Sequence, residues 1–353
     1  SSDIKGNHVV NNYLRSILEN YNNNKFDINL FLNIDIKKQD ETTREFKELV
    51  SNSFDIKNLN DLDAINLIRK QKIDVIIDTM GLLSENRLAL YKNRIAPIQI
   101  NWCGYCNTVG IKEMDFIFVD KNLVPPDEKN FYTEKVVYLN DIWNAHCGFK
   151  KERKKYSPPF LKKNHVTFGS FNNFSKISED TIEAWSKILK ANKGTRLILK
   201  SGSPRDLEIL SEKFNKYSVL NSIELKTKIE SFEEHLDLYQ EIDLSLDTFP
   251  YNGVTTTFES LWMGVPVLTM KGFNFNSRCG ESININLGMQ KLIARDLKNY
   301  IDIASFYTSN TDRLLDLRNE VYDKLLDTSL FDVKKFSTNF YKSIQKLYKD
   351  KFN

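Results

Sequence analysis

The segment 246–270, LDTFPYNGVTTTFESLWMGVPVLTM, most constrains what this 353-residue chain can fold into. Apolar residues over 242–246 and 265–270 predict two buried strands, and the stretch between them predicts a turn-rich loop and a helix over 255–263. The first N–H groups of a helix have no partner inside it, and the helix dipole favours negative charge there. The segment therefore predicts a phosphate-binding site.

Four residues of this segment are candidate ligand contacts. Gly253, Thr255 and Thr256 stand at the predicted helix start, and Glu259 lies one turn further, where a carboxylate can accept hydrogen bonds from sugar hydroxyls. Threonines are also common helix caps, so the triple threonine alone is as often structural as functional. The glycine, aromatic and polar residues at the same strand end favour a ligand, because open parallel sheets bind ligands there. We predict a nucleotide-diphosphate ligand.

The alternation of strands and helices predicts an α/β protein with parallel sheets. A chain of 353 residues exceeds the usual single-core limit, so two Rossmann-like domains are expected. We predict an N-terminal domain over 1–150, a basic, proline-containing linker over 151–164, a second domain over 165–330 and a C-terminal helix over 331–353. Because the chain opens on the loop-like SSDIKGNH, we also expect that an N-terminal strand is missing.

Composition argues against several classes of protein. The net charge is only +3, which gives no general case for nucleic-acid binding. The longest apolar runs reach roughly half of the ~20 residues that span a bilayer, so no membrane span is predicted. Four cysteines do not suggest a disulfide scaffold, and we expect a reducing, cytoplasmic environment.

No metal or cofactor is predicted. Cys103 and Cys106 form a CxxC pair, but a zinc site would need a second pair of ligands, and a redox motif would normally open a helix after a strand. The acidic pair Asp61 and Asp63 lies on a predicted helix rather than in a strand-end loop suited to Mg²⁺. A metal-independent mechanism is therefore favoured.

Polar residues follow the first strand of the second domain. Asn172, Asn173 and Lys176 are predicted on the loop that faces the phosphate end of the segment 246–270. A lysine there can neutralise a diphosphate and stabilise it as a leaving group. The alternative is an ordinary surface lysine before a helix capped by Ser178.

Two further residues of this domain are candidate donor contacts. His235, early in a helix, could place its ring against a nucleobase, although a partly buried surface histidine is the commoner case. Arg278, which opens the helix after the strand 265–270, is a candidate second phosphate contact.

The N-terminal half offers two candidate catalytic residues. His8 precedes the first predicted helix, and an imidazole that titrates near neutrality suits a general base for an acceptor hydroxyl. Asp78 ends the strand IDVIID at its ligand-binding end and could orient or replace the histidine. Most strand-end aspartates, however, only cap loops.

Several motifs together carry a family resemblance. They are SSDIKGNH, RIAPIQINWCGYCNTVG followed by MDFIFVD, FNNFSKI, EEH and the segment 246–270. Over nearly its whole length the chain resembles the catalytic region of the O-linked N-acetylglucosamine transferase and SPINDLY family, including its bacterial members.

This resemblance implies a fold, a reaction and partners. The fold would be the B-type glycosyltransferase fold, in which two Rossmann-like domains face a cleft. The reaction would be an inverting, metal-independent transfer of a sugar from a nucleotide sugar to Ser or Thr hydroxyls of proteins. UDP-N-acetylglucosamine is the expected donor, and GDP-fucose is the alternative because TFPY and GYCNT are similar to the SPINDLY branch. Tetratricopeptide repeats are expected upstream.

The resemblance also implies roles at matching positions. His8 would be the active-site histidine, Lys176 the pyrophosphate lysine, His235 the base-stacking residue and Glu259 the ribose contact. Thr255 and Thr256 would bind phosphate, and Asn173 stands where the animal enzyme has Gln.

Four positions depart from the family pattern, namely Val9, Leu82, Cys106 and Val254. The changes at Leu82 and Val254 remove polar groups, so altered donor choice or a non-catalytic sugar-nucleotide-binding scaffold stays open. A different enzyme on the same fold is a further alternative.

Overall fold

The computed structural model describes residues 1–6, 8–227, 229 and 231–352. It divides the chain into two α/β units, one formed by 1–148 with 329–353 and the other by 149–328. The predicted class of two α/β halves with parallel sheets is confirmed. The C-terminal helix, predicted as a separate element, groups with the first unit.

The strands are short, and every pair that forms in the sheets is parallel. They are β1 (Asn29–Leu32), β2 (Asn52–Asp55), β3 (Val75–Asp78), β4 (Ile98–Asn101), β5 (Phe116–Val119), β6 (Lys135–Tyr138), β7 (Thr167–Ser170), β8 (Arg196–Lys200), β9 (Ile223–Lys226), β10 (Leu244–Leu246), β11 (Val267–Met270) and β12 (Ile293–Ala294).

The helices alternate with these strands along the chain. They are α1 (Val10–Leu18), α2 (Glu41–Glu48), α3 (Asp61–Lys70), α4 (Leu88–Tyr91), α5 (Phe160–Lys163), α6 (Glu179–Ala191), α7 (Pro204–Lys216), α8 (Phe232–Asp237), α9 (Thr255–Trp262), α10 (Cys279–Leu287), α11 (Leu297–Ser309), α12 (Thr311–Lys324) and α13 (Val333–Phe352).

In the first unit the sheet order is β3-β4-β5-β6, and β1 and β2 form a separate pair. Ser1 extends that pair, since its amine donates to the Phe31 carbonyl and its carbonyl accepts from Asn33 N–H, each at 2.8 Å. Residues of β1, β3, α1 and α13 line a largely apolar cavity of about 230 Å³. The expected additional N-terminal strand stays a prediction.

In the second unit six strands follow the order β12-β11-β10-β7-β8-β9. The strands β7 and β10 are buried throughout, and β8 is buried except at its two ends, as expected for a sheet covered on both faces. Because β7, β8 and β10 are adjacent and parallel, their carboxyl ends meet at one edge. The loops that leave this edge carry the candidate site.

The segment predicted as a linker, 151–164, packs on the second unit. The Arg153 guanidinium lies 4.3 Å from the centre of the Tyr322 ring and 5.6 Å from that of Trp262. It also donates to the carbonyls of both residues, at 2.8 and 3.1 Å. Such cation–π contacts hold the segment in place, so it differs from the solvated connector that its basic composition suggests.

Within the described parts of the chain, every helix is too short or too polar to traverse a lipid bilayer.

Candidate functional site

Asp247, directly after β10, anchors the loop that leads into α9. One carboxylate oxygen accepts from Gly253 N–H at 2.7 Å and from the Asn172 amide at 3.2 Å, and the other accepts from the Thr269 hydroxyl at 2.8 Å. Burial raises the pKa of Asp247 to about 6, against the lowering effect of these donors and of Lys176. Sequence reasoning missed this residue, which ties the β10 loop to the β7 loop.

Gly253, Thr256 and Asn172, predicted separately, come together at this loop. The Thr256 hydroxyl donates to the Asn172 amide oxygen at 2.6 Å. A Cβ at position 253 would lie 2.5 Å from that hydroxyl and 2.7 Å from the same amide oxygen. Only glycine therefore fits between the helix start and the β7 loop.

The helix α9 begins at Thr255, as predicted. Its N-cap residue is Val254, whose side chain cannot accept a hydrogen bond from the first turn. The Thr257 hydroxyl is directed to the Gly253 carbonyl at 3.2 Å instead. The N-cap residue of α9 therefore supplies no side-chain acceptor for the first N–H groups of the helix. A bound anion can supply such an acceptor instead.

Lys176 reaches from the β7 loop to the loop before α9. Its ammonium group donates to the Asn252 carbonyl at 2.9 Å and lies 4.2 Å from the centre of the Tyr251 ring. The surface-lysine alternative does not describe this half-buried side chain. Asn173 is exposed, and its side chain accepts from Ser175 N–H at 3.0 Å, so it caps the turn that positions Lys176.

His235 lies in a polar array beside this helix. Its Nε2 is 2.9 Å from the Glu259 carboxylate and its Nδ1 is 2.8 Å from the Lys200 ammonium group. The Tyr239 hydroxyl donates to the same Glu259 oxygen at 2.9 Å. Glu259 is buried, and the His235 side chain keeps 12% of its surface exposed.

Lys200 is a functional candidate that sequence reasoning missed. A single lysine at the end of β8 carries no local signal, and its partners lie 35 and 59 positions further along the chain. Burial lowers the pKa of Lys200, and the nearby charge of Glu259 opposes that shift.

Arg278, the predicted second phosphate contact, is largely buried, and its contact with phosphate stays a prediction. Its side chain is 6% exposed, and its Nε donates to the Gly272 carbonyl at 3.0 Å. This bond spans the loop between β11 and α10, so the guanidinium braces the loop from inside. The place of Arg278 at the helix start was predictable from the sequence, whereas the burial of its side chain was not.

In the first unit, His8 lies beside Asp3. Its Nε2 is 3.6 Å from the Asp3 carboxylate, and its Nδ1 accepts a long bond of 3.4 Å from Val10 N–H. Burial lowers the pKa of His8, although Asp3 acts in the opposite direction. The imidazole is therefore neutral at pH 7, as a general base must be.

Asp78 serves its own strand-end turn rather than His8. It accepts from Gly81 N–H at 2.8 Å and from Met80 N–H at 3.3 Å, and it bonds the Tyr91 hydroxyl. Burial raises the pKa of this carboxyl. The predicted role of orienting His8 is corrected, because the acid beside His8 is Asp3 and the Asp78 oxygens hold the turn. The predicted role of replacing His8 stays a prediction.

Cys103 and Cys106 are buried, and burial raises the pKa of the Cys103 thiol well above its ordinary value. Among the described residues, no group of three or more His, Cys, Asp or Glu side chains could hold a metal ion.

The fold defines the class, a protein of two Rossmann-type units. In the second unit Lys176 bonds the loop before α9, and His235 lies beside this helix. Comparison with known sequences then gives the family. The description "Glycosyl transferase family 41" matches residues 1–151 and 148–340, and the chain belongs to this family.

Two plant relatives carry the name probable UDP-N-acetylglucosamine–peptide N-acetylglucosaminyltransferase SPINDLY. The protein of Petunia hybrida is 32% identical over 89% of this chain and 35% of its own length. That of Solanum lycopersicum is 30% identical over 97% of this chain and 38% of its own. The chain thus spans about a third of the length of these relatives.

Solved structures agree on the fold. A mutant of the O-GlcNAc transferase of Thermobaculum terrenum is 29% identical, with a TM-score of 0.92 over 99% of this chain and 67% of its own. The lipopolysaccharide outer core galactosyltransferase WaaB, only 10% identical, has a TM-score of 0.61 over 98% of this chain and 97% of its own, which shows the fold alone. The resemblance seen in the sequence is confirmed.

Proposed function

We propose that this protein transfers N-acetylglucosamine from UDP-N-acetylglucosamine to Ser or Thr hydroxyls of proteins. Membership of glycosyl transferase family 41 and the names of the plant relatives support this activity. The observation that carries the proposal is the start of α9, where the N-cap residue Val254 gives no side-chain cap and Lys176 bonds the loop before the helix.

On the donor side, the pyrophosphate would occupy the start of α9. Backbone N–H groups would donate to its oxygens, and the helix dipole favours its negative charge. The Thr256 hydroxyl would donate to phosphate once it turns away from the Asn172 amide oxygen. Lys176 would neutralise the charge that develops on the leaving nucleotide, a contribution of about 10²–10³ in rate by comparison with other single donors. These groups make a bound cation unnecessary in the proposed mechanism.

The nucleoside would lie against His235 and Glu259. The exposed part of the His235 ring offers a flat surface to the base. Because one Glu259 oxygen already accepts from His235 and Tyr239, the ribose hydroxyls would bind to the other oxygen. Asn172 and Asn173 would line the loop that faces the sugar and phosphates.

On the acceptor side, His8 would act as the general base. It takes the proton of the acceptor hydroxyl while the oxygen forms a bond to C1 of the sugar, and the bond from C1 to the phosphate oxygen breaks. UDP leaves with the electron pair. Attack opposite the leaving group would invert the configuration at C1, as the resemblance implies. Upstream tetratricopeptide repeats and a cytoplasmic location are part of this proposal.

The test is a transfer assay with a Ser/Thr peptide library and either UDP-N-acetylglucosamine or GDP-fucose, read by mass spectrometry. We expect peptides heavier by one N-acetylhexosamine and no reaction after His8→Ala, which should still bind UDP. Labelling by GDP-fucose alone would assign the alternative fucosyltransferase activity. Donor hydrolysis without peptide labelling would favour a different acceptor, and binding without any turnover would favour the scaffold.

A further inference from the structure

The polar array around His235 joins three separate elements of the second unit. Lys200 ends β8, His235 lies on α8 and Glu259 lies on α9, one turn after the threonines at the helix start. Three rings, those of Phe171, Phe232 and Tyr239, surround the histidine with centroids 5.7–6.1 Å away. The array therefore links the base-binding ring to the phosphate-binding helix.

The direction of each hydrogen bond in the array follows from chemistry. A lysine ammonium group has only donors, so at 2.8 Å it must donate to Nδ1 of His235. Nδ1 is then unprotonated, and the ring proton sits on Nε2, which donates to Glu259 at 2.9 Å. Burial raises the pKa of Tyr239 well above its ordinary value, so its hydroxyl keeps its proton and donates to Glu259 as well.

The groups on the two sides of the ring bind different nitrogens. Glu259, from α9, accepts the proton of Nε2, and Lys200, from β8, places a donor against Nδ1. Tyr239, from the turn after α8, is a neutral donor to Glu259. With both charges in place the ring is held neutral, in one tautomer and in one orientation.

We propose that Lys200 is a positioning residue that holds His235 in the neutral Nε2–H tautomer, and thereby sets the affinity of the site for the nucleoside of the donor. This inference rests on the proposed function, because it assigns His235 to the base. Lys200 acts through the histidine, and its own contact is with Nδ1.

The tautomer of His235 is tested in the protein without nucleotide. The protein has four histidines, so ¹⁵N-histidine labelling gives a small spectrum in which His235→Gln identifies the His235 signals. We expect a protonated Nε2 and an unprotonated Nδ1 at pH 7. In Lys200→Met the signals of both neutral tautomers should appear, because Nδ1 has lost its donor, and Lys200→Arg should restore the wild-type spectrum.

The effect of Lys200 on the affinity for the nucleoside is tested by nucleotide binding. Calorimetry should show UDP binding about tenfold weaker in Lys200→Met and recovered by Lys200→Arg to within about threefold. The matched control is Lys226→Met, since Lys226 is the register partner of Lys200 on β9 and bonds Glu224 and Glu241 instead. It should bind UDP like the wild type.

The outcomes separate the two proposals. Unchanged protonation of His235 in Lys200→Met, or equal UDP affinity, overturns the role of Lys200. A wild-type protein that shows the expected tautomer but binds neither UDP nor GDP contradicts the proposed donor site, and it overturns the part of the inference that concerns the nucleoside.

Discussion

Replacement of Lys176 by methionine is the most informative single perturbation of the donor site. The methionine keeps most of the side-chain length and removes the charge, so the hydrogen bond to the Asn252 carbonyl and the contact with the Tyr251 ring are lost. One hydrogen bond contributes about 0.5–1.5 kcal/mol and a partly exposed cation–π contact about 0.5–1 kcal/mol. The expected loss of stability is therefore about 1–2.5 kcal/mol, and the protein should stay folded.

The effect on the reaction should be larger than the effect on folding. If the ammonium group stabilises the leaving nucleotide, its removal should lower kcat by about 10²–10³, which corresponds to about 2.7–4 kcal/mol. The assay is the initial rate of sugar transfer at saturating donor, with urea unfolding measured in parallel. Lys187→Met is the control, because Lys187 forms only a helix-surface pair with Glu183. A kcat for Lys176→Met within about threefold of the control would refute the assigned role.

Three further predictions concern the loop, its buried acid and the absence of a cation. Gly253→Ala should weaken UDP binding by at least about tenfold in calorimetry, because the added Cβ would displace the side chain of Thr256 or Asn172. Wild-type affinity of this variant would show that the loop accommodates a Cβ and would contradict the prediction. Because the pKa of Asp247 is raised to about 6 in the folded protein, its ionisation should destabilise the fold as pH rises. Urea unfolding should show the wild type losing about 2 kcal/mol relative to Asp247→Asn from about pH 4.5 to about pH 7.5, and a constant difference would contradict this burial effect. EDTA should leave the transfer rate unchanged, whereas recovery of a lost rate on adding Mg²⁺ or Mn²⁺ would contradict the cation-free mechanism.

The parts of the fold that the sequence predicted are those with a strong local pattern. Helix α9 was expected over 255–263 and runs over Thr255–Trp262, and the strand expected over 265–270 is β11 at Val267–Met270. The strands β2 and β6 were missed, because NSFD and KVVY are short and mixed in polarity.

The parts of the site that could not be predicted depend on packing between distant residues. The tie between Asp247 and Asn172 spans 75 positions, and the bond between Lys200 and His235 spans 35. Arg278 and Asp78 were assigned to ligand binding and catalysis from their places at element ends. In the structure both side chains are buried, and each makes a hydrogen bond to the backbone of its own loop. Type and position of a residue were readable from the sequence, whereas the direction of its side chain was not.

The most direct test of a nucleotide-sugar site at the start of α9 is calorimetric titration of the purified protein with UDP and GDP. We predict that UDP binds with a dissociation constant of about 1 µM to 1 mM, that GDP binds more weakly, and that His235→Ala abolishes the heat of binding. An absence of binding to both nucleotides, or binding that survives His235→Ala unchanged, would contradict the account.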